Sequence, residues 1–600
     1  MPNYLNVLPG LLFPAFLCTS IFVHCPPIDE TAHLPAGLSH WRSGRIQLNA
    51  VNPPLIRLLA AIPVYLAGPK YDWSAYDPQW GERSEWAVGR RFFAVNGPHT
   101  VAYFRIARLF LLPFAFVGVW GLFRVAREFL HESAFIAVLL CAISPLMISH
   151  TSLITSDAWA GFGGMLFIFT LRKCLLAPSA LFAAGAGAAA GYLICIKATW
   201  LVLLPIVVAT AMVVHFDKRN MDFRNAARVS IGIISCVFVI NAVYGFTDSF
   251  FYVRDCPFQS KSLRAFGSSD IFGERADAKL SVVSAFIANN VASPLPRNML
   301  EGIDIQRGDF ERGFPSYLLG EWKNGGWWYY YLVGFLVKEP IGFQLMLYVS
   351  IVSGLWSWRK WTRESVREWS LIVVPPLLIF GLVSSQTGFN HHMRYVLPAY
   401  PFLFIIAART VTLGKFWKWF SYGCLTWQAA AVLWFAPHWM SYFNEAAGGP
   451  LNGHKYLMDS NIDWGQDILM LKWWQDKHPE ATDLQAALFT GFDPKDIGLK
   501  FRLPAPYIPL EPQTVSKQGL RGPQPGWYAI SVCQLKGHSF SVPEGDGTWS
   551  WSDGHFTYFM DNFEPVDRIG YSIYIYHITE DQAAEVREHL RKQEWDGLAK

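Results

Sequence analysis

Residues 28–58 read IDETAHLPAGLSHWRSGRIQLNAVNPPLIRL, and they follow directly on an apolar run, Tyr4–Val23. A helix that crosses a bilayer needs ~20 mostly apolar residues, and this run supplies them. Beyond it stand two adjacent carboxylates, Asp29 and Glu30, then His33, Gly37 and a turn built on Asn52-Pro53-Pro54. Acids at a membrane edge are costly to keep, so such a carboxylate marks a functional candidate. Asp29 is the first choice for chemistry.

The remainder of the chain suits a membrane setting. Of 600 residues, 52% are hydrophobic and only 16% charged. Soluble domains carry about 25% charged residues, so the composition describes a polytopic membrane protein with soluble parts. A formal net charge of +4 is too small to argue for a nucleic-acid partner, and none is expected, because the positive charges concentrate in short loops. The N-terminus has neither a basic n-region nor an A-x-A site, so the first run reads as a retained helix. Six of the nine cysteines lie inside apolar runs, and no CxxC or Cys/His ligand spacing points to zinc or haem. For Cys25 and Cys256, a bridge and two unpaired thiols both stay open.

Ten further apolar runs follow: Ile106–Val125, Ser133–Ile148, Ala158–Leu171, Ala180–Ile196, Leu201–His215, Val229–Tyr244, Trp327–Trp356, Leu371–Ser385, Tyr395–Ala408 and Phe416–Pro437. The expected fold is a polytopic α-helical membrane protein with about eleven spans. Residues 1–440 form this transmembrane part, with a first outer loop at 25–100 holding short helices on the membrane surface and a second at 246–323. Alternate connections are basic: Arg124 and Arg127; Arg172 and Lys173; Lys218, Arg219, Arg224 and Arg228; Arg359–Arg367; Arg409, Lys415 and Lys418. Basic short loops mark the cytoplasmic side. The N-terminus is then cytoplasmic, and Asp29, the insert and the C-terminus face outward from an inner (plasma) membrane. Residues 441–600 read as a small extracytoplasmic α/β domain, with strands at Leu484–Thr490, Trp527–Gln534 and Tyr571–Ile578 and a helix at Trp464–Lys477.

Neighbouring helical residues diverge by ~100°, so Asp29 and Glu30 cannot serve one atom alike. One acts as base while the other positions it or holds a cation; His33 returns to the same face. Acid at a helix start also favours the dipole. Asp157 opens a span on the same side as Asp29, as a site residue or an N-cap. Two such carboxylates can share a divalent cation or divide base and support roles, and nothing fixes the metal. Lys197, Arg105, Arg108 and Arg394 lie at the same depth, with His391 and His392 beside Arg394. A phosphate at the interface needs such partners, although snorkelling places the same residues there. Lys338-Glu339-Pro340 interrupts an apolar run, as a self-neutralising pair beside a helix break facing a cavity. Tyr442–Asp467, rich in Asn, Asp and Gly beside Trp464, fits a polyol-facing loop and ordinary turns equally well.

DExxH-x3-G followed by NPPL, an outward Ser-Asp at the start of a mid-chain span, and RYVLPAYPF together resemble the C-type (GT-C-like) membrane glycosyltransferases. The nearest groups are the protein O-mannosyltransferase and aminoarabinose-transferase superfamily, and YFNEAAGGPLNG…DSNIDWGQD looks like bacterial members with an extracytoplasmic C-terminal domain. The resemblance covers roughly the first 470 residues. It implies transfer of a sugar from a polyprenyl-phosphate carrier to a lipid, glycan or protein acceptor, with Asp29 as catalytic base, Glu30 as its acidic neighbour, Asp157 as the second-loop acid and Arg394 against the lipid phosphate. No β-trefoil-like insert is evident, which weakens a protein acceptor.

The rival class is a polytopic transporter or lipid-sugar flippase, which would spread carboxylates through several helices. A metalloprotease would need HExxH, which DETAH lacks, and an envelope scaffold would tolerate change around Asp29.

Overall fold

A computed structural model describes residues 4–215, 223–266, 290, 292–507 and 521–598. Lys218 and Arg219 of the basic loops and the middle of the 246–323 insert lie outside the described residues. Helix α1 (Tyr4–Val23) ends before Pro26 and Pro27, and α2 (Ile28–Ser43) leaves it at 93°. Asp29 and Glu30 thus sit in the first turn of α2, where acid complements the helix dipole. The first outer loop holds short helices, as expected, and the first of them, α2, is enclosed on most sides from Glu30 to Leu38. Two glycines make that possible. A Cβ on Gly37 would lie 2.3 Å from the Arg57 carbonyl of α3 (Leu55–Leu66), and one on Gly89 of α4 (Glu85–Asn96) 2.4 Å from the Thr31 carbonyl.

The bundle continues with α5 (His99–Leu130), α6 (Ala134–Ala142), α7 (Pro145–Thr151), α8 (Asp157–Leu176), α9 (Ala180–Ile196), α10 (Thr199–His215) and α11 (Phe223–Val243). After the insert come α12 (Arg297–Arg312) and an antiparallel hairpin of β1 (Pro315–Leu318) and β2 (Glu321–Asn324). Then follow α13 (Tyr330–Lys338), α14 (Ile341–Trp356), α15 (Arg363–Ser385), a 3₁₀ stretch Met393–Ala399, α16 (Tyr400–Ala408) and α17 (Lys415–Trp434). Phe116, Val117 and Trp120 on α5 and Ile233, Ile234 and Phe238 on α11 point outward. Apolar side chains on an outer surface are what lipid solvates, and the architecture is that of an integral membrane protein.

The count of eleven spans is not met at full length. Among the described residues, five helical stretches are long and apolar enough to cross a membrane: 99–142, 157–176, 225–243, 363–385 and 393–413. A sixth arises if the bent α1–α2 pair is one span, and four shorter apolar helices accompany them. Apolar runs and helices part company where polar or proline residues fall inside a run. The run Trp327–Trp356 breaks at Glu339-Pro340 into α13 and α14.

Among the described residues, three of the basic connections meet at one end of the bundle. Arg172 at the end of α8 bonds Glu128 of α5 (2.8 Å) and Glu368 of α15 (2.6 Å), and Arg367 reaches the Val214 carbonyl of α10 (2.8 Å). The opposite end of α8 carries Asp157.

From Ser441 onward the chain folds as α/β. A four-stranded sheet runs β3-β4-β8-β7, with β3 (Gln485–Ala487) parallel to β4 (Gly526–Ser531) and β8 (Ile573–Ile578) antiparallel to both β4 and β7 (Asp567–Ile569). A second hairpin pairs β5 (Phe540–Pro543) with β6 (Trp549–Ser552); α18 (Ile468–Lys477) and α19 (Glu580–Leu598) complete the region. The three expected strands are present, though β4 ends at Ser531. The region shares one hydrophobic core with the helices: Phe492 stacks on Phe93 of α4 at 4.0 Å, and the Cys25 and Ile28 amides bond the Gln466 and Trp464 carbonyls. All nine cysteines are free, Cys25 and Cys256 both buried.

Candidate active site

Four elements deliver four charges to one place. Asp29 comes from the first turn of α2 and Asp157 opens α8. Lys197 sits in the extended link after α9, and Arg394 in the 3₁₀ stretch before α16. One Arg394 nitrogen, Nη2, donates to Asp29 Oδ2 at 2.5 Å, and the other, Nη1, to Asp157 Oδ2 at 3.3 Å. Lys197 Nζ donates to the second oxygen of Asp157. The chain Asp29–Arg394–Asp157–Lys197 alternates in sign and sums to zero. Asp157 (3% exposed) and Arg394 (8%) are shut in, whereas Asp29 is 22% exposed, so Asp29 is the acid an incoming molecule can touch.

Aromatic rings fix the cations from the other side. The Arg394 guanidinium lies over Trp464 at 4.4 Å and near Tyr395 at 5.5 Å, and Lys197 lies over Tyr395 at 5.2 Å. Cation–π contacts of this kind are worth about 0.5–2 kcal/mol each. His150, buried on α7, faces Trp464 with ring centres 6.0 Å apart. Each acid thus already faces a cationic side chain, Arg394 at Asp29 and both Arg394 and Lys197 at Asp157.

Glu30 points elsewhere. It is fully buried and accepts from Arg108 Nε at 3.1 Å on both oxygens, from Arg108 Nη2, and from the Ile154 amide at 2.7 Å. Arg108 Nη1 also holds the His24 carbonyl at 2.9 Å. This buried pair ties the α1–α2 corner to α5 and to the loop before Asp157, so it sets where Asp29 and Asp157 meet. Arg105 bonds the Phe22 carbonyl (2.6 Å) and takes no part in the cluster. His33 is buried with Nδ1 3.4 Å from Asn49 Nδ2, beside the cluster but without a hydrogen bond to it.

His391 and His392 join a neighbouring group. His391 Nε2 meets the Pro315 carbonyl at 2.7 Å; His392 Nδ1 meets Ser460 Oγ at 2.6 Å and lies 3.4 Å from Asp459 Oδ1. Burial would push the Asp459 carboxyl up, but the imidazoles of His392, His538 and His391 outweigh it and hold the group below the usual range. Burial in turn lowers both histidines.

Lys338 and Glu339 are adjacent yet do not pair with one another. Lys338 Nζ donates to the Met440 carbonyl (2.8 Å) and the Asn461 carbonyl, while Glu339 accepts from Tyr400 Oη at 2.7 Å. Successive residues point apart, so each finds its own partner. Both are buried, as ties between α13, α16 and the Ser441–Asp467 loop.

Sequence reasoning did not single out Tyr395, His150 or Asp459, and it left Trp464 undecided. Tyr395 lies inside the quoted RYVLPAYPF, and Asp459 and Trp464 inside the quoted DSNIDWGQD. His150 carries no such signal, since nothing in ISHTSL sets it apart from a core histidine.

No family model and no curated protein matches the chain. Among solved structures it is similar to ArnT from Cupriavidus metallidurans, an aminoarabinose transferase. In the crystal structure with undecaprenyl phosphate bound, the identity is 11% and the TM-score 0.46; in the apo state they are 12% and 0.43. Each likeness covers 96% of this chain and 98% of the other. A likeness at this level assigns neither substrate nor residue roles. The solved structures this chain is similar to are thus of the aminoarabinose-transferase group that its first-loop motif resembles.

Proposed function

We propose that this chain is a membrane-embedded glycosyltransferase that moves a sugar from a polyprenyl-phosphate carrier to an acceptor on the outer face of the membrane. One observation carries the reading: Asp29 and Asp157 meet through Arg394, with Lys197 behind them, at the end of the bundle opposite its basic connections. The carrier presents its phosphate at that depth, and Arg394 and Lys197 are the groups that would receive it.

Asp29 is the accessible carboxylate and serves as general base. It takes the proton of an acceptor hydroxyl as the oxygen attacks the anomeric carbon. The bond from that carbon to the phosphate oxygen breaks, and the lipid phosphate leaves with the electron pair. Arg394 and Lys197 stabilise the growing charge, an electrostatic role that is usually the largest in such sites. Direct displacement inverts the anomeric centre. Asp157 holds both cations in place and does not itself touch substrate. Arg394 is bonded to Asp29 before substrate arrives, so a phosphate that draws the guanidinium away frees Asp29 to accept a proton.

The flippase reading predicts carboxylates strung through several helices; here Asp29 and Asp157 come together at one end of the bundle, joined by Arg394. The test uses purified chain in lipid nanodiscs with polyprenyl-phosphate sugars labelled in the sugar. Transfer to an acceptor with matching release of free polyprenyl phosphate is expected. Movement of intact carrier across vesicles without bond cleavage would overturn the reading. Mass spectrometry of lipid-linked intermediates that accumulate on deletion then names the sugar.

A further inference from the structure

Beyond the transferase cluster, a second group of ligating side chains gathers where three separated segments meet. His391 and His392 precede Arg394, Asp459 comes from the loop after α17, and His538 from the turn before β5. One ligand atom from each of His391, His392 and Asp459 lies within 4.8 Å of the others. The second Asp459 oxygen is 3.5 Å from His538 Nε2. Asp459 takes a left-handed backbone (φ +57°), uncommon outside glycine, and the carboxylate reaches three imidazoles from that bend.

We infer that His391, His392 and Asp459 form a binding site for a zinc-class divalent cation, with His538 positioning the carboxylate from its far side. Two imidazoles and a carboxylate are a donor set that borderline metals prefer to calcium or magnesium. The surroundings fit. His391 spends Nε2 on the Pro315 carbonyl, as metal-bound histidines do with their second nitrogen, and this leaves Nδ1 as the ligand atom. Three protein ligands leave a fourth position open.

The ion would tie the loop before Arg394 to two loops of the C-terminal region. His392 lies 6.2 Å from Trp464 between ring centres, and Arg394 rests on that tryptophan. A cation here would therefore hold Arg394 at its post without sitting between Asp29 and Asp157. The inference stands whether or not the chain transfers a sugar.

The test loads full-length protein, stripped with chelator, with Co²⁺ or Zn²⁺ alone. Stoichiometric uptake and the visible absorption of four-coordinate Co²⁺ are expected. His392→Ala and Asp459→Asn should lose the band, and His538→Gln should weaken binding by about 10- to 100-fold, the usual effect of removing such a partner. Size-exclusion profiles and tryptophan fluorescence confirm folding, and Asp29→Asn should bind Co²⁺ like the wild type. Wild-type protein that shows no band, and whose melting temperature does not respond to chelator, would reduce the group to a hydrogen-bonded cluster and overturn the inference. Uptake lost in Asp29→Asn yet kept in His392→Ala would overturn it too, by placing the ion between the acids.

Discussion

Glu30 and Asp29 are neighbours with different work, and replacing Glu30 by glutamine separates the two. Glu30 and Arg108 are 0% and 1% exposed, so water screens neither. Glutamine keeps the size of the side chain, removes its charge and turns one acceptor into a donor. Arg108 Nε, which bonds both Glu30 oxygens at 3.1 Å, then faces an N–H group, and the guanidinium is left buried without a counter-charge. Breaking a buried pair from one side costs about 3–5 kcal/mol. The Ile154 amide, now 2.7 Å from Oε1, keeps its partner only if the amide oxygen takes that side. Glu30→Gln should therefore lose about that much stability in denaturant unfolding followed by tryptophan fluorescence. Glu30→Gln combined with Arg108→Met should recover most of the loss, because replacing both charges is often near neutral. Below its melting temperature, Glu30→Gln should retain far more transfer per folded molecule than Asp29→Asn. Wild-type stability in Glu30→Gln, joined to a 100-fold loss of transfer, would refute the clamp and make Glu30 a chemical group.

Arg394→Lys keeps the charge but replaces a fork that spans two carboxylates with a single ammonium. Transfer should fall by about 10²-fold or more with the fold intact, read as kcat on labelled donor. Asp463 makes stability depend on pH: burial pushes its carboxyl up, Asp467 adds to this, and the group reaches about 8 against an ordinary 3.8. The folded chain holds a proton there that the unfolded chain releases. Stability from this group is thus complete below about pH 4 and lost as pH rises to about 8. The slope approaches about 1.4 kcal/mol per pH unit. Melting curves from pH 5 to 8 should fall for the wild type and run flatter for Asp463→Asn; parallel curves would contradict the assignment.

What could be read from residues alone was local. An apolar run of spanning length, acids directly after it, and a Ser-Asp at a helix start are patterns of spacing, and they led to Asp29 and Asp157. The alternating β-strand at Tyr571–Ile578 was legible for the same reason. Partnership across the chain was not. Lys197 lies 40 residues from Asp157 and Arg394 365 from Asp29, and no spacing rule links them. The two acids of Asp29-Glu30 look equivalent in sequence, and only the placement of Arg108 on α5 assigns one to structure. Lys338-Glu339 invited pairing because the residues are adjacent, yet adjacency in a chain is what turns side chains apart. Trp464 lay in a loop that fitted a polyol-facing surface and ordinary turns equally well, and its seating of Arg394, 70 residues away, had no local sign.

The most direct test of the account is transfer by Asp29→Asn, assayed with labelled polyprenyl-phosphate sugar beside the wild type and Asp29→Glu. General bases contribute about 10²–10⁴-fold. Asparagine keeps a hydrogen bond to Arg394 but cannot accept a proton, so the account predicts a loss of that size with unchanged folding. Turnover by Asp29→Asn at the wild-type rate would contradict it.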